Sequence, residues 1–280
     1  MLLKSDSTTL QVTVENLRQF SSKIWEYYRV HRRSFMWREN PTPYHVFISE
    51  VMLQQTQTYR VAPKFEAFIS RFPDFGTLAV ADQRDVLEAW QGLGYNRRGL
   101  YLHKSAQRVV TDFAGILPKD PSILETFNGI GKATAASICA FAFNLPTIFI
   151  ETNIRAVYIH EFFKDSTEVT DKELFPLIDA TVDKNNPREW YYALMDYGVM
   201  LKQLYKNPSR KSAHHTKQSK FEGSERQIRG MILRVLLNAP ASTFERICHI
   251  IDREPERIQK NLDNLHSEGL IKKQKEFYFL

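Results

Sequence analysis

Cysteine is nearly missing from this chain: 280 residues hold only Cys139 and Cys248, far apart. Two distant thiols cannot supply a four-ligand metal centre, and they speak against a disulfide-stapled secreted scaffold. Long apolar runs are lacking as well. The start, Met1-Leu2-Leu3-Lys4-Ser5-Asp6, has no continuous apolar core of the signal-peptide kind, and no segment is long enough to span a bilayer. The expectation is an intracellular protein that does not engage membranes. Clear strand alternation is absent from Val14 to Leu204, which excludes a β-rich fold for that region. Acids are missing from two short tracts, Tyr95-Asn96-Arg97-Arg98 and Lys206 to Lys220. The remainder is ordinary: 43% hydrophobic, 25% charged and a net charge of +6. That balance makes polyanions plausible partners without proving them.

What is present is helical periodicity. Val14, Leu17, Phe20, Ile24 and Tyr28 mark an amphipathic helix. Phe35 to Arg38 and Pro41-Thr42-Pro43 read as loop, with Pro43 in the first turn of the next helix. Further helices are predicted at 62–71, 78–92, 99–113, 122–127, 132–143, 154–163, 171–183 and 187–204. Periodicity stops between Tyr205 and Gly223, a basic linker or surface loop. A new pattern then runs to the end. One helix carries Ile228, Ile232, Val235 and Leu236, another covers 244–251, and a third covers 255–267 with Gly269 at its cap. Leu270–Lys273 and Phe277–Leu280 complete it as a two-stranded hairpin. Three helices and a hairpin describe a winged helix-turn-helix, a module that contacts DNA in some proteins and only protein in others. The domain expectation is therefore 1–204, a linker at 205–223, and 224–280.

Three segments carry chemistry. Glu50 interrupts a helix whose apolar positions Tyr44, Phe47, Ile48 and Val51 fall at i, i+3, i+4 and i+7. An acid so placed loses hydration, which favours its protonated form, as a general acid requires. A surface glutamate is the plain alternative. Asn128-Gly129-Ile130-Gly131-Lys132-Ala133 lies between two short helices. Its glycines let phosphate approach backbone N–H groups beside a helix N-terminus. Gly-X-Gly alone describes many ordinary turns; between two helices it reads as a helix-hairpin-helix, with Ile130 packed inward. Glu151 follows an apolar run at the start of another helix, with Thr152 or Asn153 as its cap. Simple compensation of the helix dipole would also explain it.

At this point the residues resemble a known family. Trp37-Arg38, Pro41-Thr42-Pro43-Tyr44 and Ser49-Glu50-Val51-Met52-Leu53-Gln54-Gln55-Thr56-Gln57 are similar to the signature of MutY-type adenine DNA glycosylases. Gly92-Leu93-Gly94-Tyr95, Gly129-Ile130-Gly131, Asn153 and Met195-Asp196-Tyr197-Gly198 fall in that family's order. The resemblance covers roughly Val14 to Met200. The hairpin by itself points only to the wider helix-hairpin-helix superfamily, which includes endonuclease III. The implied fold is all-α: two helical subdomains of the helix-hairpin-helix glycosylase type, plus the small winged helix-turn-helix.

The resemblance implies base excision repair on double-stranded DNA carrying a mispaired or damaged base. The base is flipped into a pocket between the two subdomains. Glu50 protonates it, and Glu151 and Asn153 complete the catalytic set, the acid stabilising the cationic sugar. Arg38, Gln54, Gln55, Tyr95, Asn128, Gly129, Ile130, Gly131 and Lys132 are the implied DNA contacts, and Ala133 lines the substrate pocket. The expected protein is a monomer, cytoplasmic and nucleoid-associated if bacterial.

Three departures stand out. The family's second acid is Asp, and here it is Glu151, one methylene longer. Bifunctional relatives carry Lys where this chain has Ala133, so lyase chemistry lacks its nucleophile; Lys132 points about 100° away around the helix. Lys202, Ser209, Ser212 and Gln218 occupy the four iron–sulfur ligand positions, none of them a thiolate. The expectation is an enzyme with no iron–sulfur cluster and at most a monovalent or divalent cation at the hairpin. Adenine opposite 8-oxoguanine or guanine is the expected target. Thymine, uracil or another modified base, a catalytically inactive DNA-binding protein, and a winged-helix regulator remain as alternatives.

Overall fold

The structure, a computed structural model, describes residues 2–5, 8–216 and 219–280, with side chains from Val12 onward. An antiparallel hairpin opens the chain, β1 (Leu2–Ser5) against β2 (Thr8–Gln11), with Leu2 opposite Gln11. Then come α1 (Val14–His31), α2 (Met36–Glu39), α3 (Pro43–Leu53), α4 (Thr58–Arg71), α5 (Phe75–Val80) and α6 (Gln83–Ala89). They are followed by α7 (Arg97–Phe113), α8 (Pro121–Leu124), α9 (Lys132–Phe143), α10 (Thr152–Phe162), α11 (Asp171–Thr181) and α12 (Pro187–Leu204). A 3-10 turn at Pro208–Lys211 leads on to α13 (Glu225–Leu237), β3 (Ser242–Thr243), α14 (Phe244–Ile250), α15 (Pro255–Ser267), β4 (Lys272–Gln274) and β5 (Phe277–Phe279). The fold is mostly helical with a small C-terminal wing.

Local chemistry explains the boundaries. Thr13 and Asn16 form a reciprocal capping box at the start of α1, and Pro121, Pro187 and Pro255 sit at the first turns of their helices. The helix expected over 78–92 is broken in two. Ala81 is extended, and Asp82 caps α6 by accepting the Arg84 N–H at 2.9 Å. Phe35–Arg38, expected as loop, instead caps and forms most of the single helical turn α2, and the N-terminal hairpin was not expected at all. The wing also gains a strand: Ser242–Thr243 pairs with β5, giving the order β3-β5-β4.

The chain forms two compact units. The first comprises Met1–Phe47, Lys119–Glu125 and Ile130–Lys217. Its core is aromatic: Phe20 meets Tyr158 at 5.1 Å between ring centroids, Trp25 meets Trp190 at 5.7 Å, and Phe141 stacks on Tyr192 at 4.7 Å. The second comprises Ile48–Pro118, Thr126–Gly129 and Gln218–Leu280. Here Leu87 of α6 and Leu100 of α7 share one apolar cluster with Ile228, Ile232, Leu236, Ile258, Leu262 and Leu265. Burying each such side chain contributes roughly 2 kcal/mol. The three C-terminal helices therefore rest on the same core as α6 and α7.

Candidate active site

In α3, residues 44–49, 51 and 52 are buried, so the helix is covered almost all round. Glu50 is half-buried between Ser49 and Val51. It has exchanged part of its hydration for protein surroundings, as the sequence pattern predicted. After Leu53 the chain turns through Gln54 and Gln55. Gln55 is exposed and left-handed, at φ 54°, and Gln54 Nε2 donates to the Gly129 carbonyl at 3.1 Å.

Arg98 holds this turn in place. Its Nη1 donates to the carbonyls of Val51, Met52 and Gln54 at 2.8, 3.0 and 2.6 Å. Its Nη2 donates to Thr56 Oγ1 at 2.9 Å and to the carbonyls of Leu93 and Gly94. The carbonyls ending α3 carry the negative end of the helix dipole, which suits a guanidinium. Among the described residues no carboxylate pairs with Arg98. Burial pushes its guanidinium down to about 10, opposed by Tyr95 and reinforced by Arg60, so it stays charged at neutral pH.

The tract Tyr95–Arg98, which holds no acids of its own, is thus engaged by groups distant in sequence. Arg98 is buried, and Arg97 pairs with Glu268, which also binds Arg229. The missed signal was positional. Arg98 falls on the stripe of Leu102, Ala106 and Val109, the buried face of α7. Tyr95 is half-exposed and left-handed at φ 48°, a conformation costing about 1–2 kcal/mol in a residue with a Cβ. Its ring meets the guanidinium groups of Arg98 at 5.4 Å and Arg226 at 5.1 Å.

Asn128 and Gly129 are exposed in the second unit. Gly129 has φ 78°, and a Cβ there would lie 2.8 Å from Tyr101 Cδ2, so both conformation and space demand glycine. In the first unit Ile130 is buried, as expected, while Gly131, Lys132 and Ala133 are exposed at the start of α9. Gly131 caps α9 without a side-chain hydrogen bond. The exposed position 133 offers no amine.

Glu151 is the N-cap of α10. Its Oε1 accepts from the backbone N–H groups of Asn153 and Ile154 at 2.8 and 3.0 Å, and its Oε2 accepts from Asn153 Nδ2 at 3.2 Å. The carboxylate thus neutralises the positive end of the helix. Asn153 Oδ1 is buried without a hydrogen-bond partner among the described residues. Behind it, Gly198 of α12 packs so tightly that a Cβ would lie 2.7 Å from the Asn153 carbonyl oxygen. Lys202, one turn further along α12, is half-buried. Burial pushes its ammonium below the ordinary lysine value, partly offset by the Glu151 charge.

Arg38 requires a correction. It is only 5% exposed, and Nη1 donates to both oxygens of Asp196 at 3.0 and 2.9 Å. Its guanidinium also lies 4.3 Å from the centroid of Tyr192. A phosphate could reach Arg38 only by undoing this buried pair. Asp196, which also binds Arg33 at 2.7 Å, was not recognised as its partner.

The segment from Tyr205 is ordered by backbone pairing. Val169 N–H donates to the Lys211 carbonyl at 2.9 Å, and Ala213 N–H donates to the Val169 carbonyl at 3.0 Å. Ser209 and Ser212 are buried, with Ser209 Oγ donating to Asn207 Oδ1 at 2.8 Å. Gln218 lies outside the described residues. An ammonium and two hydroxyls are a poor donor set for an iron–sulfur cluster. Among the described residues no group of three His, Cys, Asp or Glu side chains could hold a metal ion, and no helix is long and apolar enough to cross a membrane.

Residues 48–179 match the HhH-GPD superfamily base excision DNA repair protein family. An adenine DNA glycosylase of Buchnera aphidicola subsp. Baizongia pistaciae is 34% identical over 179 residues, covering 62% of this chain and 50% of that protein. One from Mycolicibacterium smegmatis is 26% identical over 281 residues, covering 89% of this chain and 91% of the relative. The chain spans about half the length of the first of these relatives. Among solved structures, a thermostable thymine-DNA glycosylase superposes with a TM-score of 0.60 at 22% identity, covering 70% of this chain and 92% of that one. A non-covalent endonuclease III–DNA complex superposes with a TM-score of 0.57 at 15% identity, covering 67% and 86%. These two share the fold.

Proposed function

From a chain that carries a HhH-GPD base excision repair domain across residues 48–179, we propose a monofunctional DNA glycosylase that releases adenine from a mispair with 8-oxoguanine or guanine. The observation that carries this reading is Glu50, a half-buried acid in a helix otherwise covered by apolar packing. Relatives named adenine DNA glycosylase support the choice of base.

The reaction is a hydrolysis. Glu50 delivers a proton to the flipped adenine, and the N-glycosidic bond breaks with its electron pair leaving on the base. Water adds to C1′ of the cationic sugar, whose charge the Glu151 carboxylate stabilises, and the proton that water loses returns to the Glu50 carboxylate. The Glu151–Asn153 hydrogen bonds fix the orientation of that carboxylate. Without an amine at Ala133, no Schiff base forms there and the strand stays intact. Gln54, Gln55 and Tyr95 meet the duplex. The start of α9, with Gly131, Lys132 and Ala133 exposed and no side-chain cap, receives a backbone phosphate. Lys202, Ser209 and Ser212 suit a protein that works without an iron–sulfur cluster, as a monomer, wherever the cell keeps its DNA.

The test is single-turnover release from duplexes with adenine opposite 8-oxoguanine or guanine, scoring strand scission after alkali. Glu50→Gln is expected to slow release by about 10³-fold while duplex affinity is retained. Release at the unmodified rate would remove Glu50 as the acid. Thymine or uracil released in place of adenine would overturn the assigned base, and release of no base from any duplex would overturn the enzymatic reading.

A further inference from the structure

The C-terminal segment grips the loop between α6 and α7. Arg226, on the first turn of α13, donates from Nη1 to the Tyr95 hydroxyl at 2.6 Å and from Nη2 to the Ser219 carbonyl at 2.7 Å. Its guanidinium also lies 5.1 Å from the Tyr95 ring centroid. Glu268, at the end of α15, accepts from Arg97 on one side and Arg229 on the other. At the start of α6, Gln83 donates to the Gly269 carbonyl at 3.1 Å, and Arg84 donates to the Leu237 carbonyl. These polar contacts flank the apolar cluster that joins Leu87 and Leu100 to the C-terminal helices.

The gripped loop is conformationally demanding. Gly92, Gly94 and Tyr95 all have left-handed φ, at 88°, 73° and 48°. A non-glycine residue keeps such a conformation only when its surroundings over-determine it. Arg226 and Arg98 both contact Tyr95, and Arg98 in turn binds the carbonyls that end α3 and the one at Gln54. A continuous set of contacts thus leads from α13 through Tyr95 and Arg98 to the turn that follows Glu50.

The charge on α15 fits an internal duty better than groove reading. Arg257 is paired with Glu225, and exposed Glu256 and Asp263 accompany Lys260 on the same helix. Phosphate binding would favour an unbroken basic face.

We propose that Arg226 is a positioning residue for Tyr95, and that the C-terminal winged helix is the scaffold fixing the Gly92–Arg98 loop. This rests on the glycosylase reading only for its consequence: Tyr95 matches, by the resemblance to MutY-type glycosylases, residues that fill the duplex or meet the opposite base, so loosening it weakens discrimination for the base opposite adenine.

The experiment uses the full chain with Arg226→Ala, Arg226→Lys, Tyr95→Phe and the Arg226→Ala/Tyr95→Phe double variant. Amide hydrogen exchange over 93–100, measured without DNA, should quicken by about tenfold in Arg226→Ala and recover partly in Arg226→Lys. The preference for adenine opposite 8-oxoguanine over adenine opposite guanine should fall by about fivefold, with the double variant no worse than the stronger single one. Unchanged exchange overturns the proposal, and so does an unchanged preference or strictly additive losses. A parent chain that releases no base defeats the glycosylase reading instead, and exchange alone then decides the role of Arg226. Loss of duplex affinity with the loop's exchange unaltered would make the winged helix a DNA contact and also overturn the proposal.

Discussion

Each compact unit buries an arginine, and the two are held in opposite ways. Arg38 in the first unit faces a carboxylate, Asp196, which is itself buried and braced by Arg33. Arg98 in the second unit faces carbonyl dipoles and one hydroxyl, with no counter-charge among the described residues. A charge pair locks two elements together but leaves a stranded charge when either member is lost. A cluster of dipoles binds less strongly, and its burial cost persists, which is why the Arg98 guanidinium sits at about 10. The paired site joins α2 to α12, far along the sequence. The dipole site gathers a turn and a loop, the parts of a protein that must fit a partner's surface.

The widest separation should come from removing Asp196. Asp196→Asn leaves Arg38 charged and unpaired, and chemical denaturation should register a loss of about 3–5 kcal/mol. Arg98→Met removes the charge along with its contacts and strands only dipoles, so about 1–3 kcal/mol is expected in the same titration. Equal losses would mean that charge pairing does not distinguish the two sites. The smallest effect concerns His103, on α7 beyond Arg98. Burial pushes its imidazole below the ordinary value, partly countered by hydrogen bonds to the backbone of Ala79 and Ala81. With a folded-state value below the unfolded one, the unfolded chain takes up the proton first. The stability this neutral ring contributes is therefore complete above about pH 6.5 and is lost as pH falls further. His103→Gln should flatten the acid limb of a thermal melting series by about 2 °C between pH 7 and pH 5.

The helical framework was legible because its signals are local. α9, α12 and α15 begin and end where periodicity, a first-turn proline or a C-terminal glycine placed them. Glu50 stood out for the same reason: its neighbours are consecutive in sequence. The buried pairing of Arg38 with Asp196 was not legible because it spans 158 positions, and no periodicity carries that information. The break at Ala81 hid inside a run of adequate helix formers, where only the Asp82 cap marks it. Glu151 lay between the two cases. Its place at a helix start was readable, but the closing of its oxygens on Asn153 was not.

The tight approach of Gly198 to the Asn153 carbonyl has a consequence for how the sequence can drift. The obstacle there is main chain, so no substitution elsewhere trims it away, and position 198 is closed to every side chain. Gly129 differs in one respect, because part of its obstacle is the ring of Tyr101. There a change at 101 can come first and ease a later one at 129, against the remaining resistance of the backbone angle. One glycine is a dead end for mutation, and the other sits behind a door that opens in a single order.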